Sequence, residues 1–178
     1  ISLEGSWLPI SFAGNDTTRN SLSGTIRLLT EFQDQRKMVL DDPSLIDRMS
    51  HESLRMTSPV MHMRRTATED TEIAGQRIAE NEKVLMWYGA ANRDPSVFTN
   101  PDVFDLTRSN VEKHVAFGHG VHRCLGNRIA QMQLSMAYER ILDRFPNIHW
   151  TGKQKIEPII LVHAISSLKV NLYGKNAK

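Results

Sequence analysis

A single cysteine lies in a run of glycines and histidines that could hold a metal ion. Cys124 is the only cysteine among the 178 residues, and the segment after it has helical spacing of apolar residues. Glycine takes positive φ without steric cost, so Gly118, Gly120 and Gly126 predict a tightly folded loop that can approach a flat group. The free amides and dipole at a helix amino end favour a thiolate, which binds metals and attacks electrophiles. The spacing therefore indicates a reactive or metal-binding sulfur.

Three other roles for Cys124 stay open on the residues alone. Free cysteine often only packs in a protein core. Zinc bound by Cys124 together with His114, His119 and His122 is a ligand set of the right chemical type. A nucleophilic cysteine paired with a histidine is the third role.

Three more segments carry polar side chains at suggestive spacing. Glu52 and Arg55 are three residues apart, which places them on one helix face as a possible surface ion pair. Asp16-Thr17 could cap a helix. Two adjacent arginines lie in residues 61–67, and a guanidinium suits a carboxylate because its planar donors can bind both oxygens.

Residues 117–126, Phe-Gly-His-Gly-Val-His-Arg-Cys-Leu-Gly, resemble the haem-binding signature of the cytochrome P-450 family. His122 stands where many members carry arginine. The resemblance implies that Cys124 is the axial ligand of haem b, iron protoporphyrin IX, and that Phe117, His122 and Gly126 help to bind the haem. The glycine pattern of this signature decides against the three other roles, and the remaining family motifs follow in the family's order.

Those motifs carry further implied roles. Asp16 and Thr17 match the family's acid-alcohol pair, which relays protons so that one atom of dioxygen leaves as water. Gly14 lies in the helical stretch that opens into a groove for dioxygen. Arg65 matches the arginine that forms a salt bridge with a haem propionate.

The Glu-Ser-Leu-Arg segment at residues 52–55 matches a family motif as well. The resemblance implies a buried polar network between Glu52, Arg55 and the loop before the cysteine, here residues 92–95. Removal of one partner from such a buried network strongly destabilises a protein, because a buried charge is left unpaired.

The resemblance implies a haem-thiolate monooxygenase, an oxidoreductase that inserts one atom of dioxygen into a C–H bond of a hydrophobic small molecule. Ferredoxin and a ferredoxin reductase are the expected electron donors. Residues 14–20, 62–67 and 122–128 look most like bacterial terminal hydroxylases of alkanes and fatty acids, and next like hydroxylases of steroid side chains. Met61 and Met63 either line such a pocket or belong to the core. A haem-binding protein or incomplete fragment without monooxygenase activity is the rival class, and Asp16-Thr17 argues against it.

The elements that must position these residues are predicted from periodicity and breaker residues. Helical spacing indicates a helix over residues 17–38, which Pro9 should either start or kink. Asp41-Asp42-Pro43 predicts the start of a second helix that runs to about Met56, with Ser58 extended before Pro59. Strands are predicted at 61–67, 71–78 and 83–88, with turns near Gly75 and Asn81.

The second half is predicted as a long ordered loop, a helix and a hairpin. The loop covers residues 89–123, and a buried helix ending before Pro146 follows it. Strands at 159–162 and 168–172 suggest a closing hairpin. The side chains expected to face the core from the helix are Leu125, Ile129, Met132 and Met136. The fold class is mostly α with small antiparallel β sheets (α+β), corresponding to the carboxy-terminal half of the P-450 fold.

Composition limits the partners and the compartment. A net charge of +2 gives no basic stripe, which argues against nucleic acid as a partner. The longest apolar stretch, residues 7–13, is far short of the roughly 20 residues that cross a bilayer, so no membrane span is expected. One cysteine cannot close an internal disulfide, which favours a reducing compartment and a cytoplasmic location. The chain starts with Ile1 and not with methionine, so it is expected to begin inside a larger protein. The resemblance implies that residues 1–178 are the carboxy-terminal part of a single cytochrome P-450 domain.

Overall fold

The computed structural model describes residues 3–174, with side chains from residue 10 onward. The helices are α1 (Leu3–Glu31), α2 (Gln33–Asp41), α3 (Ile46–Thr57), α4 (Tyr88–Ala91) and α5 (Asn127–Arg144). The strands are β1 (His62–Thr66), β2 (Thr71–Ile73), β3 (Gln76–Ile78), β4 (Lys83–Trp87), β5 (His149–Glu157) and β6 (Ala164–Asn171). The strands pair antiparallel as β1 with β4, β2 with β3 and β5 with β6. The predicted class, helices with small antiparallel sheets, is confirmed.

The first predicted helix is two helices in the structure. α1 continues through Pro9, so Pro9 does not start it, and α1 ends at Glu31. Phe32 leaves helical geometry with φ −109° and ψ 78°, and α2 follows it. No glycine or proline marks this break in the sequence. The centroids of the Phe32 and Phe104 rings are 5.9 Å apart, so a tertiary contact accompanies the break.

The residues before α3 start the helix as predicted, but the conformation at its end differs from the prediction. The Asp42 side chain accepts a hydrogen bond from the Ser44 amide, and Pro43 opens a short 3-10 turn that leads into α3. The predicted extended conformation of Ser58 is wrong, because Ser58 is left-handed with φ 39° and ψ 67°. Its amide donates to the carbonyl of Leu54, and its hydroxyl donates to the carbonyl of Arg55. These two bonds hold Ser58 in that conformation at the end of the helix.

The segment at 61–88 contains four strands where three were predicted. β1 and β4 pair from His62–Trp87 to Thr66–Lys83. The predicted strand at 71–78 is a hairpin of β2 and β3, which turns at Gly75 with φ 79°. Asn81 takes φ 67° in the turn before β4. The turn positions were therefore predicted correctly, and the strand count was not.

The predicted closing hairpin is shifted along the chain. β5 and β6 pair from His149–Asn171 to Glu157–Ala164, so the predicted strand at 159–162 lies in the connection between them. Within that connection Val162 forms an isolated bridge with Val60. The strand predicted at 168–172 largely coincides with the end of β6.

The core lies where α1, α3 and α5 meet. Gly24 brings α1 close to α3, because a Cβ at that position would collide with the Thr57 side chain. The Thr25 and Tyr138 hydroxyls, both buried, share a hydrogen bond of 2.7 Å between α1 and α5. The main buried side chains of this core are Leu28, Leu29, Met49, Leu54, Phe104, Leu106, Leu134 and Leu142.

The face of α5 that was predicted to be buried is the exposed one. Leu125 is 94% exposed, and Ile129, Met132 and Met136 are 57–59% exposed. The buried side of the helix carries Leu134, Tyr138 and Leu142 instead. α5 therefore has apolar residues on two faces, and periodicity alone identified only one of them. No helix of the described part of the chain is long and apolar enough to cross a membrane.

Candidate active site

The cysteine loop, residues 117–126, is a tight turn between the long loop and α5. Gly118 and Gly120 have φ values of 69° and 67°, a region that favours glycine. Gly126 has φ −85°, so the expectation of positive φ is wrong at this position. The Cys124 amide donates to the Phe117 carbonyl at 2.8 Å, which closes the base of the loop.

The Cys124 side chain is exposed beside the amino end of α5. The Asn127 side-chain amide donates to the Cys124 carbonyl at 2.6 Å, which ties the loop to the first residue of the helix. Two neighbouring apolar side chains are almost fully exposed, Val121 at 96% and Leu125 at 94%. A packing role for this cysteine within the described residues is excluded, because the residue does not lie in their core.

The four ligands of the zinc alternative, Cys124, His114, His119 and His122, do not come together in the structure. His114 is buried and hydrogen-bonds to His51, while His119 and His122 are exposed. Among the side chains of residues 10–174, no three or more histidine, cysteine, aspartate or glutamate residues lie close enough together to hold an ion.

The Glu52–Arg55 pair is buried, and both side chains are 0% exposed. Arg55 donates to both carboxylate oxygens of Glu52 at 2.8 Å, in the bidentate geometry that guanidinium groups favour. It also donates to three carbonyl oxygens of the long loop, at Asn92, Pro101 and Val103, at 2.7 to 3.1 Å. The surface-pair alternative is therefore wrong, and Arg55 joins α3 to the long loop.

Two partners of Glu52 could not be found from sequence. The Arg108 guanidinium lies 3.2 Å from Glu52 Oε1 and is nearly buried, and the Asp105 amide donates to the same oxygen at 3.0 Å. Phe98 lies beneath both cations, 5.2 Å from the Arg55 guanidinium carbon and 5.9 Å from that of Arg108. Arg108 is distant from Glu52 in the chain. The local sequence shows only an arginine in a loop, which does not indicate a contact with Glu52.

Asp16 and Thr17 lie inside α1 and not at its start, which excludes the helix-cap alternative. The Thr17 hydroxyl donates to the Ala13 carbonyl at 2.7 Å. The Asp16 carboxylate pairs with Arg19 at 2.8 Å and is partly exposed. A Cβ added at Gly14 would meet nothing within 4 Å, so the helix surface beside it is open.

Arg65 lies on β1 opposite Val84. One of its guanidinium nitrogens donates to the Arg64 carbonyl at 2.9 Å, and within the described residues no carboxylate pairs with it. His122 is exposed in the cysteine loop. No hydrogen bond joins Arg65, His122, Cys124 and Thr17 to one another in the described range, so the chain alone does not bring them into contact.

These residues fit a haem in their chemistry. The group would need one soft anionic ligand, an apolar surface for a flat ring and cationic or hydrogen-bonding partners for its carboxylates. Cys124, flanked by exposed Val121 and Leu125, supplies the first two. Arg65 and His122 supply donors that are not engaged by carboxylates of the described residues.

His114 is a buried histidine that the sequence did not distinguish from its neighbours. Burial, together with electrostatic repulsion from His51, Arg123 and Arg55, lowers the pKa of His114 to about 3. The imidazole is therefore neutral near neutral pH.

Acidification is expected to destabilise the protein through His114. As the pH falls below 6.5, the unfolded imidazole binds a proton, and the buried one does not until the pH approaches about 3. The unfolded state is therefore favoured increasingly across this window, by at most about 1.4 kcal/mol per pH unit. Urea unfolding of wild type and His114→Gln at several pH values in the window measures the effect. The variant should have the shallower dependence on pH, and equal slopes would contradict the assignment.

Comparison with known proteins decides the family. The family model described as "Cytochrome P450" matches residues 30–169. The linalool 8-monooxygenase of Pseudomonas putida is 44% identical over 162 residues, which are 91% of this chain and 40% of that protein. The chain belongs to the cytochrome P450 family. Members of this family bind haem b as cofactor, in agreement with the donor set described above.

The names of two further P450 relatives refer to different molecules, a steroid and a fatty acid. The steroid C26-monooxygenase of Mycobacterium tuberculosis is 38% identical over 91% of this chain and 43% of its own length. A crystal structure of P450BioI with an acyl carrier protein bearing hexadec-9Z-enoic acid superposes with a TM-score of 0.86 and 39% identity, covering 90% of this chain and 42% of that one. The chain thus spans about two fifths of the length of these P450 relatives.

Proposed function

We propose that residues 1–178 are the carboxy-terminal part of a single P450 domain, and that the full-length protein is a haem-thiolate monooxygenase with Cys124 as the axial iron ligand. The observation that carries this proposal is the exposed thiol in the cysteine loop at the amino end of α5. The family supports the reaction class, insertion of one atom of dioxygen into a C–H bond.

The exposed side of α5 supports the assignment to a longer domain. Ile129, Met132 and Met136 share one helix face and are more than half exposed. A contiguous apolar face of this kind is usually covered by another part of a protein. Since the relatives are more than twice as long as this chain, we infer that the remaining part of the full-length protein packs against it.

The haem would be held by residues of two elements, β1 and the cysteine loop. Arg65 on β1 and His122 in the cysteine loop would bind the propionates, and Phe117 and Gly126 would lie against the ring. When bound, the haem supplies the activation of dioxygen, and the thiolate donates electron density that favours O–O cleavage. The protein orients the cofactor and controls access to it.

Asp16 and Thr17 would supply the proton path. The Thr17 hydroxyl donates to the Ala13 carbonyl, so its oxygen keeps lone pairs free to accept from another donor. The Asp16 carboxylate lies within the same helical turn and would pass protons from solvent once it separates from Arg19. The open surface at Gly14 leaves room for dioxygen beside this pair.

Thr17→Ala is expected to uncouple electron consumption from product formation in the full-length protein. General acid–base groups contribute at least about 100-fold, so the rate of product formation should fall by about that factor. Haem content and the carbon-monoxide spectrum should not change. The measurement is product formed per electron pair consumed, with Thr18→Ala on the same helix as the matched control. Unchanged coupling in the Thr17 variant would contradict the proton path.

The proposed substrate is a long apolar molecule, an alkane or a fatty acid hydroxylated at its terminus. The segments around residues 14–20, 62–67 and 122–128 support this class, as does the fatty acyl ligand of the P450BioI structure. A steroid side chain is the second candidate, because a steroid C26-monooxygenase is among the relatives. Ferredoxin and ferredoxin reductase are the proposed electron donors, and the cytoplasm is the proposed location.

The decisive experiment uses the full-length protein loaded with haem. A reduced carbon-monoxide spectrum of the thiolate type is expected, together with hydroxylated product from at least one of three groups: alkanes, fatty acids and steroids. A thiolate spectrum without any product or substrate-stimulated electron use would favour the rival class, a haem-binding protein without monooxygenase activity. A spectrum without thiolate character would refute Cys124 as the ligand.

A further inference from the structure

Two histidines form a hydrogen-bonded pair between α3 and the stem of the cysteine loop. His51 Nδ1 lies 3.2 Å from His114 Nε2, and the ring centroids are 5.4 Å apart. His114 is buried, and its ring lies 5.8 Å from that of Phe117, the first residue of the cysteine loop. The roles proposed above for Cys124, Arg65 and Thr17 make no use of this pair.

The hydrogen atoms of the pair can be assigned from its neighbours. The Ala116 amide donates to His114 Nδ1 at 3.3 Å, so the single proton of neutral His114 is on Nε2 and points to His51. His51 then accepts at Nδ1 and carries its own proton on Nε2. The Gln131 side-chain nitrogen lies 3.1 Å from His51 Nε2. The oxygen and nitrogen of such an amide are assigned from its hydrogen bonds, and the flipped amide presents its oxygen, which accepts the His51 proton. With that orientation of Gln131, the chain of donors runs in one direction, from the loop to α5.

The loop end of this chain holds the backbone where the cysteine loop leaves the core. The Val115 amide donates to Asn92 Oδ1 at 2.7 Å, and the next amide, Ala116, donates to His114. The following residue, Phe117, accepts the Cys124 amide at 2.8 Å. Two consecutive amides are therefore fixed by side chains, directly before the bond that closes the cysteine loop.

We propose that the His51–His114 pair is a positioning device that fixes the stem of the cysteine loop and, through it, the Cys124 sulfur. A metal site is a poorer explanation, because both acceptor nitrogens are already used, His114 Nδ1 by Ala116 and His51 Nδ1 by His114. The effect on the iron ligand rests on the function proposed above, whereas the effect on the loop stem does not.

The test compares His51→Leu with His51→Asn in the full-length haem protein. Asparagine and leucine have similar shapes, but only asparagine keeps an acceptor where Nδ1 lies. The bond between His51 and His114 is partly buried, and loss of one hydrogen bond changes an equilibrium constant by up to about tenfold. Deuterium exchange of the peptide amides at 115–118 should therefore be about tenfold faster in the leucine variant and close to wild type in the asparagine variant. The ratio of thiolate-type to thiol-type carbon-monoxide spectrum should fall by a similar factor only in the leucine variant.

The outcomes test the role of the His51–His114 pair separately from the proposed monooxygenase function. Wild-type exchange in His51→Leu would overturn it, and so would equal acceleration in both variants, because the effect would then not depend on the acceptor. If wild type has no thiolate spectrum, the Cys124 assignment fails, and amide exchange still decides the role of the pair. If His51→Leu does not fold, Gln131→Leu removes the outer bond and should accelerate exchange about threefold; no acceleration would overturn the proposal.

Discussion

Replacing Arg55 by alanine is expected to lower the free energy of unfolding by about 3–5 kcal/mol. Arg55 is fully buried, binds both oxygens of Glu52 and donates to three carbonyl oxygens of the long loop. Its removal leaves a buried carboxylate with Arg108 as the remaining cation, at 3.2 Å, and leaves the loop carbonyls without their donor. Most of the cost is the desolvation of groups that lose their partner.

The matched control is Arg77→Ala. Arg77 pairs with Asp70 at 2.8 Å, but the two side chains are 79% and 58% exposed, and exposed pairs contribute at most about 1 kcal/mol. Urea unfolding of wild type and both variants of the full-length protein measures the difference. A loss in the Arg55 variant no larger than that of the control would show that the buried network does not stabilise the fold.

In the full-length protein, the proposed function predicts that replacing Cys124 by serine abolishes the thiolate spectrum and reduces hydroxylation below detection. The sulfur is the one thiol in the described part of the chain, and a serine hydroxyl is a poor ligand for haem iron. Cys124→His is the informative companion, because an imidazole can hold the iron without a thiolate. That variant should retain haem and still lack both the spectrum and the activity.

The measurement is haem absorbance per protein, followed by the reduced carbon-monoxide spectrum and product formation. A thiolate-type spectrum that persists in Cys124→Ser would assign the iron to a different cysteine of the full-length protein. Hydroxylation by Cys124→His at the wild-type rate would show that electron donation from sulfur is dispensable.

The sequence predicted local features well where a single residue type determines the conformation. Asp42 and Pro43 start α3 as expected, and Gly75 and Asn81 are in the predicted turns. The break at Phe32 was missed because it accompanies a contact with Phe104, which is remote in the chain. Tertiary contacts of this kind leave no mark in local periodicity.

The polar network of the site was predictable only in part. The family motif identified Glu52 and Arg55, and burial confirmed that they are more than a surface pair. Arg108 and the His51–His114 pair were missed, because each contact joins residues more than 50 positions apart. No spacing rule connects such residues without an alignment or a structure.

The exposed face of α5 shows why one sequence cannot tell which apolar face is buried. Both faces of the helix satisfy the same helical period. The face with Leu134 and Leu142 packs against α1 and α3, and the face with Ile129 and Met132 does not pack within the described residues.

The exposure of Cys124 also makes the cofactor-free protein vulnerable to oxidation. An exposed thiol can pass to the sulfenic and then to the sulfinic state, and the second step is in general irreversible. A sulfenic acid is commonly rescued by a neighbouring thiol, but this chain of 178 residues contains no second cysteine. On the proposed assignment, oxidation of Cys124 to the sulfinic state would remove the iron ligand, and haem bound to the sulfur would protect it from this oxidation.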